Sequence, residues 1–183
     1  MEKVSSISDH IGFRKCAIMD IPLMSQVGSK AYVEHYAHIW QDGPEFYLNK
    51  SFSKTVFRKE VPNATIEYYL IYFEDQPIGL LKLNLFKGLD GQPNPKMIEL
   101  EKIYIIKAYS SKNVGSTTIS FLKHLATYKQ ISYIWLSVMT TSKAMDFYVK
   151  HGFEAVSYWQ LDFKNLKKGY REMLKMKLNV AES

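Results

Sequence analysis

The sequence predicts an α/β domain of about seven strands flanked by about four helices, in the order βααβββαβαββ. Three observations lead there. Residues 66–73 and 78–86 are dense in β-branched and aromatic side chains and are separated by the turn EDQP, the pattern of a hairpin. Residues 97–138 change period from strand to helix and back, which requires a crossover whose turn lies at the strand's C-terminal end, where α/β folds place ligands. Finally, 183 residues with 46% hydrophobic and 23% charged side chains suit one ordinary globular domain. The whole span 1–183 is read as that domain, with residues 1–10 as a flexible tail.

Each element has its own signal. Residues 11–17 form a short strand. Asp20 then offers a side-chain N-cap, and Pro22 a first-turn residue, to a helix with apolar positions Ile21, Met24, Gly28, Ala31 and Tyr32 that ends before Trp40. A second helical region covers about 44–60 and closes near Pro62. After the hairpin, GLDGQPNPK (88–96) is a loop or wide turn by its Gly, Pro, Asn and Asp content, and a strand follows at about 97–106. Val114, Thr118, Phe121, Leu122 and Leu125 recur at helical spacing. Residues 132–138 are a strand, 142–151 a helix stopped by Gly152, and about 153–162 and 170–178 two closing strands.

The net charge of +6 admits an anionic partner such as nucleic acid or a phosphorylated small molecule. The lysines are scattered, however, and the densest groups (164–168 and 175–177) alternate with apolar residues as a solvated face does. With no reading motif beside them, a nucleic-acid-binding module ranks last. No apolar run approaches the roughly 18 residues of a membrane span, and MEKVSSISDHIGFRK lacks a signal-peptide core. A cytoplasmic protein with no membrane partner is expected. The lone Cys16 cannot form an internal disulfide and reads as a small core residue. His35 and His38 share a helix face without supporting cysteines or paired carboxylates, so no metal is expected.

Two segments carry the chemistry. IELEKIYIIKAYSSKNVGSTT (98–118) is an apolar strand with two glutamates that runs into a small polar turn and then a helix. Such a turn can hold a phosphate on bare N–H groups at a helix N-terminus, although with Gly115 as its single glycine it reads, on its own, as an ordinary strand-to-helix turn. The second is SKAMDFYVKHGFEAV (142–156), a short helix leading into a strand. Together they resemble the GCN5-related N-acetyltransferase (GNAT) superfamily. ELEKIYI (99–105) is similar to its ELxxLYV strand, SSKNVG (110–115) to its acetyl-CoA loop Q/R-x-x-G-x-G/A, and TSKAMDFYVKHGF (141–153) to its helix N-x-x-A-x-x-F-Y-x-x-x-G-F. The resemblance covers the whole chain, including RKCAIMDIPLM at its start, and within the superfamily looks most like the bacterial group that includes polyamine acetyltransferases. It implies a mixed, mostly antiparallel, twisted sheet.

The resemblance also assigns the residues. It places the phosphates of acetyl-CoA along Ser110, Ser111, Lys112, Asn113, Val114, Gly115 and Ser116. Ser110 stands where Gln or Arg is usual, Ser111 where Gly is common and Asn113 where the first motif Gly belongs. Asn is the non-glycine residue most at ease in left-handed conformations, Ser is small, and Lys112 adds a cation. The pantetheine arm is expected against the backbone of Ile103, Tyr104 and Ile105, whatever their side chains. Thr141, where Asn is usual, Lys143 and Tyr148 complete the cofactor contacts. Tyr148 is the general-acid candidate for the departing thiolate, with a buried core phenol as the equal alternative.

An attacking amine must be neutral, which calls for a base or a water relay to one. Glu99 and Glu101, two apart on a strand, share a face unless a bulge intervenes, as it commonly does in this superfamily. One of them is the candidate base, and should then be desolvated with its pKa raised toward neutrality; the other reading is a pair of solvated or lysine-paired carboxylates. Tyr32, Tyr36 and Trp40, with Glu34 and His35 between them, fall where the resemblance places the wall of the acceptor groove, and aromatic plus acidic groups would suit a cationic amine. They read equally as core.

The expected activity is direct transfer of acetyl from acetyl-CoA to a primary amine of a small molecule or peptide. The oxyanion of the tetrahedral intermediate would sit on strand N–H groups near Ile103, without a covalent enzyme intermediate. A non-catalytic acyl-CoA-binding protein of the same fold is the alternative. The acceptor and homodimerisation are left open.

Overall fold

The computed structural model describes residues 10–182. Strands β1 (Ile11–Lys15), β2 (Ile66–Phe73), β3 (Gln76–Lys87), β4 (Pro93–Ile105), β5 (Tyr133–Met139), β6 (Glu154–Gln160) and β7 (Glu172–Asn179) form one sheet in the order β1-β2-β3-β4-β5-β7-β6. Every neighbouring pair is antiparallel except β4 and β5, which α4 (Val114–Tyr128) joins by the expected crossover. The α/β class and the mixed, mostly antiparallel sheet are as predicted.

The central strands are buried on both faces, and the two faces have separate cores. Leu81, Leu83, Ile98 and Leu100 cluster with Val114, Ile119, Phe121 and Leu122 of α4, beside α5 (Ala144–Lys150). On the other face Tyr68, Leu70 and Leu80 cluster with Met24 and Val27 of α1 (Ile21–Tyr36), Phe52 of α2 (Glu45–Phe52) and Phe57 of α3 (Lys54–Glu60).

Several boundaries differ from the sequence reading. The helix expected over 44–60 is two, because Ser53 takes an extended conformation (φ −68°, ψ 148°) and its Oγ accepts the Val56 N–H at 3.4 Å. The described residues therefore hold five α-helices, α2 and α3 together filling the place of the one expected there. The apolar pattern runs through this break and hides it. Asp20 does not cap α1; its carboxylate accepts two hydrogen bonds from Arg14 (2.8 and 3.1 Å) and one from the Ala17 N–H (2.8 Å), tying the end of β1 to the helix start. The second half of the 88–96 loop is the start of β4, opposite Lys87. Of the tail expected over 1–10, residues 1–9 lie outside the described residues, while the His10 carbonyl accepts the Glu74 N–H.

Gly79 fixes how closely β3 and β4 approach next to the site described below. A Cβ there would stand 2.7 Å from the Tyr104 carbonyl oxygen, a backbone atom held in the ladder. Gly79→Ala is expected to destabilise the fold by about 1–3 kcal/mol and to lower Tm by about 2–4 °C per kcal/mol, measured by thermal denaturation. An unchanged Tm would contradict the packing described.

Candidate active site

β4 and β5 are neighbours that stop pairing part-way. Their parallel ladder runs only from Met97↔Tyr133 to Leu100↔Leu136, yet β4 continues to Ile105 and β5 to Met139, where it is still paired with β7. A split opens between them. Ile106 donates its N–H to the Ile78 carbonyl at 2.8 Å, so by alternation the peptide groups of Ile103 and Ile105 point away from β3 and into this split. The Ile105 carbonyl is met by Nε2–H of His35 (2.9 Å), and the Glu34 carboxylate accepts the Lys107 N–H (2.7 Å), so the last turn of α1 pins the end of β4. No strand among the described residues pairs with the Ile103 and Ile105 N–H groups. Tyr104, expected to offer its backbone, has that backbone turned toward Leu80 and offers its side chain instead.

A bulge determines which side chains border the split. Lys82 pairs with Lys102 and Leu83 with Leu100, which leaves Glu101 as an extra residue. The apolar alternation shifts phase there. Ile98 and Leu100 before it, and Ile103 and Ile105 after it, all pack on the α4–α5 side, so Glu99, Lys102 and Tyr104 share the opposite side. Asn84 bridges the two glutamates, donating to Glu99 (2.5 Å) and to Glu101 (2.7 Å).

The two carboxylates are not equivalent. Glu101 has both oxygens engaged, with Lys82 (2.8 Å) and Asn84 on one and Lys102 on the other. Burial pushes its carboxyl up, but Lys102 and Lys82, by charge and by hydrogen bond, outweigh this and hold it down at about 2. That is opposite to the direction expected of a base. Glu99 receives Lys87 (2.6 Å) and Asn84 on the same oxygen, and its Oε1 has no partner among the described residues. Lys82 also binds Glu60 (3.0 Å), which accepts from the Tyr68 hydroxyl.

The split widens into a cavity of about 350 Å³ lined by both glutamates, Lys102, Ile103, Val138 and Tyr148. Its wall is aromatic. The Tyr32 ring stacks on Tyr47 (4.4 Å between centroids) and Tyr36 (5.2 Å), Trp40 donates to the Tyr32 hydroxyl (2.9 Å), and the Tyr104 hydroxyl lies 3.3 Å from that of Tyr47. Tyr32 and Trp40 are thus core residues and cavity wall at once, being 3% and 4% exposed while bordering the space. Tyr148 projects into the same cavity from α5; its hydroxyl has no hydrogen-bond partner among the described residues, and burial, with Tyr36 facing it, raises its pKa.

In the loop expected to hold phosphates, Asn113 is left-handed (φ 60°, ψ 11°), a conformation that glycine adopts readily and asparagine tolerates. The N–H groups of Ser111, Asn113, Val114, Gly115 and Ser116 have no partner among the described residues, whereas that of Lys112 bonds the Tyr109 carbonyl at 3.1 Å. Ser110, Ser111, Lys112 and Asn113 are exposed. Gly115 also has a packing role, since a Cβ would stand 3.1 Å from the Phe147 ring of α5. The Lys112 ammonium lies 4.5 Å from the Phe73 ring centroid rather than over the loop. Thr141 and Lys143 are exposed ahead of α5, whose first N–H, that of Ala144, is held by Ser142 Oγ (3.1 Å).

Residues 30–153 match the model of the Acetyltransferase (GNAT) family. The chain belongs to that family. The GNAT chain is similar in fold to a PaiA N-acetyltransferase from Thermoplasma acidophilum in complex with coenzyme A (TM-score 0.71, 20% identity, 92% of this chain and 98% of that one). It is also similar to a spermidine N-acetyltransferase SpeG chimera from Vibrio cholerae and hSSAT (TM-score 0.71, 17% identity, 95% and 98% covered). An uncharacterized N-acetyltransferase in the pepI 3′ region of Lactobacillus delbrueckii subsp. lactis is 22% identical over 107 residues, 58% of this chain; the match spans 62% of that relative's length.

Sequence reasoning missed part of this GNAT site. Lys82 and Asn84 alternate with leucines in LKLNLF, polar residues on one face of a buried strand, and that was the readable signal. Lys102, Tyr47, Lys50 and Phe163 carried none. Cys16 is half-buried against the α1–α3 cluster, and burial pushes its thiol up to about 12, far from a nucleophile. No helix among the described residues is long and apolar enough to cross a membrane, and no group of three His, Cys, Asp or Glu among them could hold a metal.

The folded Glu101 pKa lies below its ordinary 4.5, so its contribution to stability is complete above that value and is lost as pH falls toward about 2. Glu101→Gln leaves Lys82 and Lys102 facing a neutral amide. It is expected to destabilise the protein at pH 7 by about 3 kcal/mol in denaturant titrations and to flatten the acid limb between pH 4.5 and 2. An acid limb as steep as that of the parent would contradict the pairing.

Proposed function

We propose that this GNAT protein is an N-acetyltransferase that moves acetyl from acetyl-CoA directly to a primary amine of a small molecule or peptide. The observation that carries the reading is the split strand pair. Unpaired strand N–H groups, an unpartnered Glu99 oxygen and an unpartnered Tyr148 phenol converge there on one cavity.

The bare N–H groups of Ser111 and of residues 113–116 fit the phosphates of the cosubstrate, with the N-terminal charge of α4 behind them. Thr141 and Lys143 stand at the start of α5, within the motif segment that contacts the cofactor in this family. Peptide groups of Ile103 and Ile105 suit the pantetheine amides, and acetyl-CoA supplies an activated thioester.

The residues divide the proton and charge transfers between them. A primary alkylamine has a pKa of about 10.4 and arrives protonated. Glu99 Oε1 accepts that proton, leaving a lone pair to attack the thioester carbon. Charge then builds on the carbonyl oxygen, where the Ile103 N–H donates to it. As the C–S bond breaks, the electron pair leaves on sulfur. Tyr148, its O–H retained because burial raises its pKa, gives its proton to that sulfur, and the second proton leaving the attacking nitrogen restores the phenol. Glu101, held ionised by two lysines, positions Asn84 and through it Glu99.

The left-handed Asn113 supports acyl-CoA binding in either reading, and the Glu99 oxygen and Tyr148 phenol bordering one cavity favour transfer over binding alone. Calorimetry should detect acetyl-CoA binding to the purified protein. Glu99→Gln and Tyr148→Phe should each lower kcat by about 10²-fold while the Kd for acetyl-CoA stays within about twofold. Absence of acetyl-CoA binding would refute the proposal, and binding without transfer to a broad amine panel would establish the non-catalytic alternative.

A further inference from the structure

We propose that the acceptor is an amine with an apolar, stackable body and an anionic group at its far end, not a polycation; this rests on the acetyltransferase reading above. The acidic charge around the cavity is already paired. Around the cavity the carboxylates of Glu60, Glu99 and Glu101 are met by the ammonium groups of Lys82, Lys87 and Lys102. The acidic groups that would welcome a second or third ammonium are therefore already neutralised. Glu34, placed by the sequence reading in the acceptor wall, is turned away to the Lys107 N–H. The free oxygen of Glu99 is the one the reacting amine itself needs.

What remains is positive. Lys50, one turn after Tyr47 on α2, lines the cavity, is exposed at its rim, and has no carboxylate partner among the described residues. Its ammonium lies 4.7 Å from the centroid of the Phe163 ring, which holds it beside the aromatic wall. Lys102 lines the interior and has Glu101 as its single hydrogen-bonded partner among the described residues, with N–H donors to spare. A polyamine entering this space would meet two cations of its own sign, and among the described residues that line it no carboxylate is left unpaired for its distal charge. An amine with an aromatic or aliphatic body would stack on Tyr36, Tyr47 and Phe163 and set a carboxylate or phosphate against Lys50.

Three benzylamines of one shape separate the possibilities: 4-(aminomethyl)benzoate, 4-methylbenzylamine and 1,4-bis(aminomethyl)benzene, with an anionic, a neutral and a cationic para group. Binding to the CoA-loaded protein is read by quenching of tryptophan fluorescence, since Trp40 and Trp159 line the cavity. Turnover is read by thiol release from acetyl-CoA, with spermidine run alongside. The expected order of affinity and of kcat/KM is anion, neutral, dication, each step about fivefold. Lys50→Gln should compress the series and Lys50→Glu should reverse it; both changes sit on an exposed helix position. Tightest binding of the dication or spermidine, an order unmoved by Lys50→Glu, or no binding of any of the three would overturn the proposal. If the binding order holds but no amine is acetylated, the charge preference stands and the acetyltransferase reading falls. A benzylphosphonate analogue in place of the benzoate tells whether the preferred anion is a carboxylate or a phosphate.

Discussion

Because Lys82 pairs with Lys102 while Leu83 pairs with Leu100, Glu101 goes unpaired in β4 and the side-chain phase of the strand reverses at that point. An unbroken strand would send Lys102 and Tyr104 into the apolar face beneath α4 and α5 and bring Ile103 and Ile105 round to the cavity. The bulge lets one strand serve the core with Ile98, Leu100, Ile103 and Ile105 while it presents Glu99, Glu101, Lys102 and Tyr104 on the other side. It also coincides with the end of the β4–β5 ladder, so the strand leaves its parallel neighbour just where it begins to offer polar side chains.

Unpaired peptide groups and buried charge are both costly, and the fold answers each differently. The Ile105 carbonyl is satisfied within the molecule by His35, while the Ile103 and Ile105 N–H groups have no partner among the described residues. The buried lysines are paired with Glu60 and Glu101, and Asn84 and Tyr68 add hydrogen bonds to the same carboxylates. These ion pairs hold the geometry of the site and at the same time cancel its acidity. Among the described residues, the walls of the site are thus neutralised, with one carboxylate oxygen of Glu99 and the ammonium of Lys50 at the rim left without an ionic partner.

Much of the fold was legible because periodicity reports it. The strand runs around the EDQP turn, the helical stripe from Val114 to Leu125 and the Gly152 stop all stand where the residues suggested. The break at Ser53 was not legible, since Phe52 and Phe57 keep an apolar rhythm across it and only the cap geometry reveals two helices. In the site, the left-handed Asn113 followed from what an asparagine tolerates, whereas the second role of Gly115, clearing space for Phe147, depends on a helix thirty residues away. The state of Glu101 could not be read from ELEKIYI. It is set by Lys82 of the neighbouring strand and by Lys102 across a bulge, long-range pairings that a local pattern does not encode.

The proposed activity requires the split between β4 and β5 and the turn after it to receive acetyl-CoA on their unpaired N–H groups. Residue-resolved amide hydrogen exchange with and without acetyl-CoA tests this most directly. The account predicts slowed exchange at Ile103, Ile105, Ser111, Asn113, Val114, Gly115 and Ser116, with the Tyr104 amide, already paired in β3–β4, unchanged. Protection confined to other segments, or none at saturating acetyl-CoA, would contradict it.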